Sequence, residues 1–97
     1  MDLIFKRTCY ACPEQYDVTF ENGRQIAYIR LRFGQFRVDY PDVGCEIIFQ
    51  YYFDDDMKGT FRDDEERMKF LGYARDAIEK KLMMSDKPII IVDDREG

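Results

Sequence analysis

The chain predicts an α+β domain, an antiparallel sheet of four to five strands with one long helix packed on one face. Three observations carry that expectation. Two tight-turn signals, Asn22-Gly23 and Gly34-Gln35, interrupt one alternating stretch that runs from Tyr16 to Tyr40. Pairing across each turn independently assigns the same apolar face, and agreement between two local signals points to a real sheet. After Asp63 the apolar period changes from two residues to that of a helix. The 97 residues form one domain, 1–97, with a single core.

Leu3 to Arg7 reads as a first strand, and Thr8 to Glu14 as a loop in which Pro13 biases its predecessor toward extended geometry. A two-residue type I′ turn at Asn22-Gly23, which needs positive φ at both positions, sets Val18 opposite Ala27, Asp17 opposite Tyr28 and Tyr16 opposite Ile29. A type II′ turn at Gly34-Gln35 sets Arg32 opposite Arg37, Leu31 opposite Val38 and Arg30 opposite Asp39. The apolar face is then Tyr16, Val18, Phe20, Ala27, Ile29, Leu31, Phe33, Phe36, Val38 and Tyr40. The opposite face carries Asp17, Thr19, Glu21, Arg24, Ile26, Tyr28, Arg30, Arg32, Arg37 and Asp39. Cys45 to Phe53 follows as a strand apolar on both faces, so it is either covered on both sides or offers an aromatic strip to a partner.

From Asp63 to Met83, Leu71, Ala74, Ile78 and Leu82 recur at helical spacing and can cover the apolar sheet face. Asp63, Asp64, Glu65 and Glu66 complement the positive end of the helix dipole, and Lys80 and Lys81 the negative end. Ile89 to Val92 reads as one more strand before a charged tail that starts at Asp93.

Composition narrows the functions. A content of 45% hydrophobic residues, 15% of the chain being aromatic, excludes intrinsic disorder. No apolar run is long enough to span a bilayer, and Met1 to Arg7 lack a signal-peptide core, so a cytoplasmic chain is expected. Three cysteines do not close a disulfide framework, and reduced thiols are the simpler reading. The net charge of −5 opposes general affinity for DNA phosphates or anionic lipid, so neither direct DNA binding nor a membrane partner is expected. Histidine is absent and Ser85 is the single serine, which excludes serine or cysteine catalysis paired with histidine and histidine-ligated metals. Gly34 and Gly44 are isolated turn glycines rather than a phosphate cradle. No catalytic residue and no cofactor is expected.

Two motifs have the spacing of metal or redox sites. Cys9-Tyr10-Ala11-Cys12 has the CxxC form, but Cys45 alone could add a third ligand and the residues after Pro13 lead into a strand instead of a helix, so ordinary thiols are expected. Asp54 to Glu65 resembles the calcium loop of the EF-hand family, with Asp54, Asp56, Gly59 and Glu65 at its first, third, sixth and last positions. Lys58 would place an ammonium in the coordination shell, and no metal is expected.

Two sets of residues are candidates for binding a partner. Tyr28, Arg30, Arg32 and Arg37 share a sheet face, and directly opposed arginines cost stability unless an anion lies between them, which suits a carboxylate, a phosphate or an acidic protein patch. Asp54, Asp55, Asp56, Asp63, Asp64 and Glu65 are acidic runs that serve as turns and helix caps, or that imitate nucleic-acid phosphates in a basic groove.

The stretch from Thr8 to Leu82, with its Cys-Tyr-Ala-Cys-Pro-Glu-Gln-Tyr-Asp-Val opening, Gly-Arg-Gln-Ile-Ala-Tyr-Ile-Arg-Leu-Arg hairpin and Asp-Asp-Glu-Glu-Arg helix start, resembles small uncharacterised proteins of Firmicutes and their mobile elements. That resemblance implies a non-catalytic protein-binding module, a phage-encoded, anti-CRISPR-like inhibitor of a nucleic-acid-guided defence nuclease, with a larger host protein as partner. The alternative is recognition of a small anionic ligand or nucleic acid by the arginine face. The hairpin is also similar to the central strands of GNAT acetyltransferases, which implies a degenerate acetyltransferase-like domain; Asp54 to Glu66 lack the glycine-rich pyrophosphate loop of those enzymes.

Overall fold

Alternating apolar residues and short connections build a meander of five antiparallel strands, and a helical crossover adds a sixth strand parallel to the first. The computed structural model describes residues 2–9, 13–85 and 87–93. Its elements are β1 (Leu3–Cys9), β2 (Glu14–Phe20), β3 (Gln25–Arg32), β4 (Gln35–Tyr40), β5 (Glu46–Tyr52), α1 (Asp64–Leu82) and β6 (Ile90–Asp93). The sheet order is β5-β4-β3-β2-β1-β6. The α+β class stands, but the sheet has six strands instead of four or five, and β6 makes it mixed by pairing parallel to β1, Phe5 beside Ile91. A parallel neighbour requires a long crossover, and α1 supplies it.

Both hairpin registers differ from expectation, the first only beside its turn and the second along its whole length. The first loop has three residues, Glu21 to Gly23, with Gly23 at φ +88° and its N–H donating to the Phe20 carbonyl at 2.9 Å. A three-residue loop alone would shift every pair by one and turn the side chains over. A bulge in β3 at Ile26, between the pairs Thr19 with Gln25 and Val18 with Ala27, restores the register, and Tyr16 meets Ile29 as expected. Ile26, assigned to the polar face, is buried with the core as a result.

The second turn is Phe33-Gly34, with φ of +51° and +76°, in place of Gly34-Gln35. Arg30 therefore pairs with Arg37 and Arg32 with Gln35, so the expected Arg32 to Arg37 pair does not form. The slip is two residues, an even number, which is why the faces survive it. Phe33 is the exception: placed on the apolar face by alternation, it sits in the turn itself and points to solvent.

Asp63 caps α1, its carboxylate accepting the Glu66 N–H at 2.8 Å, while Glu66 accepts the Arg62 N–H at 2.8 Å. Met83 closes the other end in the left-handed conformation. Between these caps Phe70, Leu71, Ala74 and Ile78 pack against Leu3, Phe5, Tyr16, Val18, Ile29, Leu31, Phe36 and Val38. Phe70 is the hub of an aromatic cluster, its ring centroid 5.4 Å from Phe36, 4.9 Å from Phe53 and 5.7 Å from Phe61. The buried Glu79 carboxylate accepts the Lys87 N–H at 2.6 Å, and Arg75 donates to the Lys87 carbonyl at 3.3 Å. These contacts turn the chain back and deliver β6 to β1. Tyr10, Ala11, Cys12, Asp86 and the tail from Asp94 lie outside the described residues, and so does the CxxC motif as a unit.

Candidate functional site

The β3–β4 turn and the segment after β5 join at one end of the sheet. The Gly34 N–H donates to the Lys58 carbonyl at 2.8 Å, and the Phe53 N–H donates to the Gly34 carbonyl at 2.7 Å. A Cβ at position 34 would stand 2.6 Å from the Asp55 carbonyl oxygen, so only glycine lets the two segments touch. Within the loop, Asp55 accepts the Met57 N–H at 2.9 Å. The outcome is a tip that carries Arg32, Phe33 and Met57 beside Asp54, Asp55 and Asp56. Phe33 is 65% exposed and Met57 73%. With Pro13 and Arg32 they line a shallow recess of about 190 Å³.

Phe33 is the least expected residue at this tip. Its φ of +51° is a conformation that glycine and asparagine tolerate and that a bulky side chain adopts only at a cost. Burial repays little of the cost, since the ring stays mostly exposed, meeting the Arg32 guanidinium at 4.8 Å and the rim of the recess it shares with Pro13 and Met57. Fold stability thus gives little reason for phenylalanine here.

The arginine face is more neutral than the sequence suggests. The Arg37 Nε lies 3.0 Å from the Asp39 carboxylate, which is buried and also accepts the Gly44 N–H at 2.9 Å. Arg30 and Arg37 are cross-strand neighbours, and the Arg37 charge is offset by Asp39 two residues along the same strand, which relieves the like-charge pairing. Tyr28 is buried and its hydroxyl donates to Gln15; burial raises its pKa, so it stays a neutral phenol. Arg32 has moved to the exposed tip.

The acidic residues divide in the same way. Asp63 caps α1 and pairs with Arg62 at 3.2 Å, and Asp64 pairs with Arg67, both within the helix start. A backbone N–H from Glu66 is the leading cause of the lowered Asp63 pKa. Glu65 is exposed on the first turn. Lys58, the odd residue of the EF-hand-like segment, reaches Glu66 at 3.0 Å, and among the described residues no three acidic or cysteine side chains converge on a cation position. Asp54, Asp55 and Asp56 alone stand with the tip.

Comparison with family models, with curated proteins and with solved structures finds no match for this chain.

A second cluster lies inside the molecule. The Glu14 carboxylate, wholly buried, accepts from Arg67 at 2.6 Å, the Tyr16 hydroxyl at 2.6 Å, the Thr60 hydroxyl at 2.8 Å and the Phe61 N–H at 3.2 Å, with Arg7 at 3.5 Å. Burial pushes its pKa up, but the hydrogen bonds from Arg67, Tyr16, Thr60 and Phe61 together outweigh burial and hold the carboxyl below its ordinary range. Burial and the Glu14 charge raise the Tyr16 pKa, and the Glu14 hydrogen bond raises that of Arg67. Each carboxylate oxygen accepts at least two hydrogen bonds, and together they tie β2 to α1 and to the segment before it. Sequence reasoning stopped β2 at Tyr16 and left Glu14 in a loop. Continuing the alternation one step back would have put a carboxylate on the inward face, where it must find cationic partners.

Proposed function

We propose that this chain is a non-catalytic protein-binding module whose partner docks on the tip formed by Arg32, Phe33, Met57 and Asp54 to Asp56. The observation that carries the reading is Phe33, a large ring held exposed in an unfavourable backbone conformation that contributes nothing to the core. Exposed aromatic, arginine and methionine side chains are the residue types that dominate binding energy when a partner covers them. The three flanking aspartates and the net charge of −5 favour a basic partner surface, such as the groove of a nucleic-acid-guided nuclease.

The non-catalytic part of the reading is supported by the absence of histidine and by the engagement of the buried carboxylates. Glu14 is held by Arg67, Asp39 by Arg37 and the Gly44 N–H, and Glu79 by the Lys87 N–H.

The test is a cleavage and binding assay against a panel of purified nucleic-acid-guided nucleases. The wild-type chain should bind and inhibit at least one of them, and Phe33→Asn with Met57→Ala should weaken that complex by at least ~2 kcal/mol. Asp54→Lys with Asp56→Lys should slow association and flatten its salt dependence. An inhibitor whose affinity survives the Phe33 and Met57 changes does not use the tip.

A further inference from the structure

α1 covers one face of the sheet, and among the described residues no helix or strand lies on the other. Register sets a polar row across that open face: Gln15 beside Arg30, Arg30 beside Arg37, and Arg37 beside Gln50. The glutamine oxygens at its two ends are taken. Gln15 accepts the Tyr28 hydroxyl, and Gln50 accepts from Gln35 at 3.1 Å and from the Tyr52 hydroxyl at 3.3 Å. Amide N–H groups at the ends and guanidinium groups between them leave a row that donates, so whatever covers it must accept.

Charge narrows the acceptor. Arg37 is offset by Asp39, but neither Arg30 nor Arg32 has an ion pair among the described residues. Two positions apart on β3, they share the open face at a repeat of ~6.7 Å, which is also the repeat of alternate side chains on any extended chain laid along the strand. The basic stretch is short. On one side it is bounded by Asp17 and Asp39, which flank Tyr28 and are already engaged, Asp17 by Gln25 at 3.2 Å and Asp39 by Arg37. On the other side, past Arg32, stand Asp54 to Asp56 of the tip. A long phosphate backbone would run into these carboxylates and into the net charge of −5, whereas two or three carboxylates fit between them. The row also crosses four strands, ~14 Å, more than a single small ion covers.

We infer that this open face docks a short, extended acidic segment of another protein, whose carboxylates at alternate residues sit on Arg30 and Arg32 while Gln15 and Arg37 donate from either side. Guanidinium groups suit carboxylates because they hold them through paired hydrogen bonds. Of these residues only Arg32 also belongs to the tip, so the two sites stand or fall separately.

Titration of the full, isotope-labelled chain with a capped heptapeptide of alternating threonine and glutamate, at low ionic strength, tests the inference. Saturable shifts should appear in the backbone amides of β3 and β4 and in the side-chain N–H signals of Arg30 and Gln15, both partly exposed. The same peptide with glutamine in place of glutamate should leave those signals unmoved, and salt at about 0.15 M should weaken the complex. Arg30→Gln should lower the affinity at least ~fivefold, and because Arg30 leaves no acidic partner behind, the rest of the amide spectrum should stay as in the wild type. Phe33→Asn with Met57→Ala should leave the affinity unchanged, which separates this site from the tip. No saturable shift at about 5 mM peptide overturns the inference, since a site of about 1 mM affinity would then be mostly filled. So does an affinity that survives Arg30→Gln. An octathymidylate that binds this face more tightly than the peptide also overturns it, because the occupant would then be a nucleic acid.

Discussion

Phe33 and Gly34 are adjacent residues with positive φ and opposite physical roles. Glycine is required at 34 because the Asp55 carbonyl oxygen would lie 2.6 Å from any Cβ, so Gly34→Ala should cost more than ~1 kcal/mol and loosen the tip. At 33 the native residue is the unfavourable one. Phe33→Asn should raise stability by ~0.5 to 1 kcal/mol, since asparagine tolerates the left-handed region and little buried area is lost. Thermal unfolding would register this as a rise of several degrees in Tm for a domain of this size. A fall in Tm would mean that the ring supports the fold, which would remove the main reason for placing a partner there.

At the scale of elements, α1 is defined by its caps and by one buried stripe. Ile78 is wholly buried, so Ile78→Asp should destabilise the domain by several kcal/mol through an unpaired buried charge. A Tm unchanged within about two degrees would be incompatible with the helix lying on the sheet. Asp63→Ala removes an exposed cap and should cost only ~1 kcal/mol. The contrast between the two variants, measured in the same denaturant titration, separates what packing contributes to the helix from what capping contributes.

For the whole molecule the decisive group is Glu14, which ties β2 to α1 through Arg67 and to the segment before α1 through Thr60 and Phe61. Its pKa is lowered on folding, so its contribution is complete above the unfolded carboxyl value of about 4.3 and is lost as pH falls through the folded value. Stability should therefore drop on acidification below about pH 4.5. Glu14→Gln should cost ~1 to 3 kcal/mol at pH 7, because Arg67 keeps Asp64 but loses its buried anion and the amide cannot accept all the hydrogen bonds of the carboxylate, and it should flatten that acid limb. An acid limb equally steep in the variant would assign the pH dependence to other carboxylates. Denaturant unfolding between pH 2.5 and 7 provides both numbers.

Local chemistry was legible in the chain: the alternation of β2 to β4, the stripe and caps of α1, the strand character of Ile90 to Val92 and the lack of histidine chemistry all follow from near neighbours. Turn lengths were not, because a bulge at Ile26 or a two-residue slip at Phe33-Gly34 preserves the same facing pattern, and a pattern of period two cannot register an even shift. The even slip alone separated Arg32 from Arg37 and brought Arg30 to Arg37, and the backbone contact of Gly34 with the segment after β5 joined Arg32 to Asp54, Asp55 and Asp56. The edge position of β5 and the partners of Glu14 also had to wait for the fold, since both depend on residues more than forty positions apart in sequence, such as Glu14 and Arg67. Periodicity determines which side of an element is apolar; which elements meet, and with what charges between them, is set by packing that no local window contains.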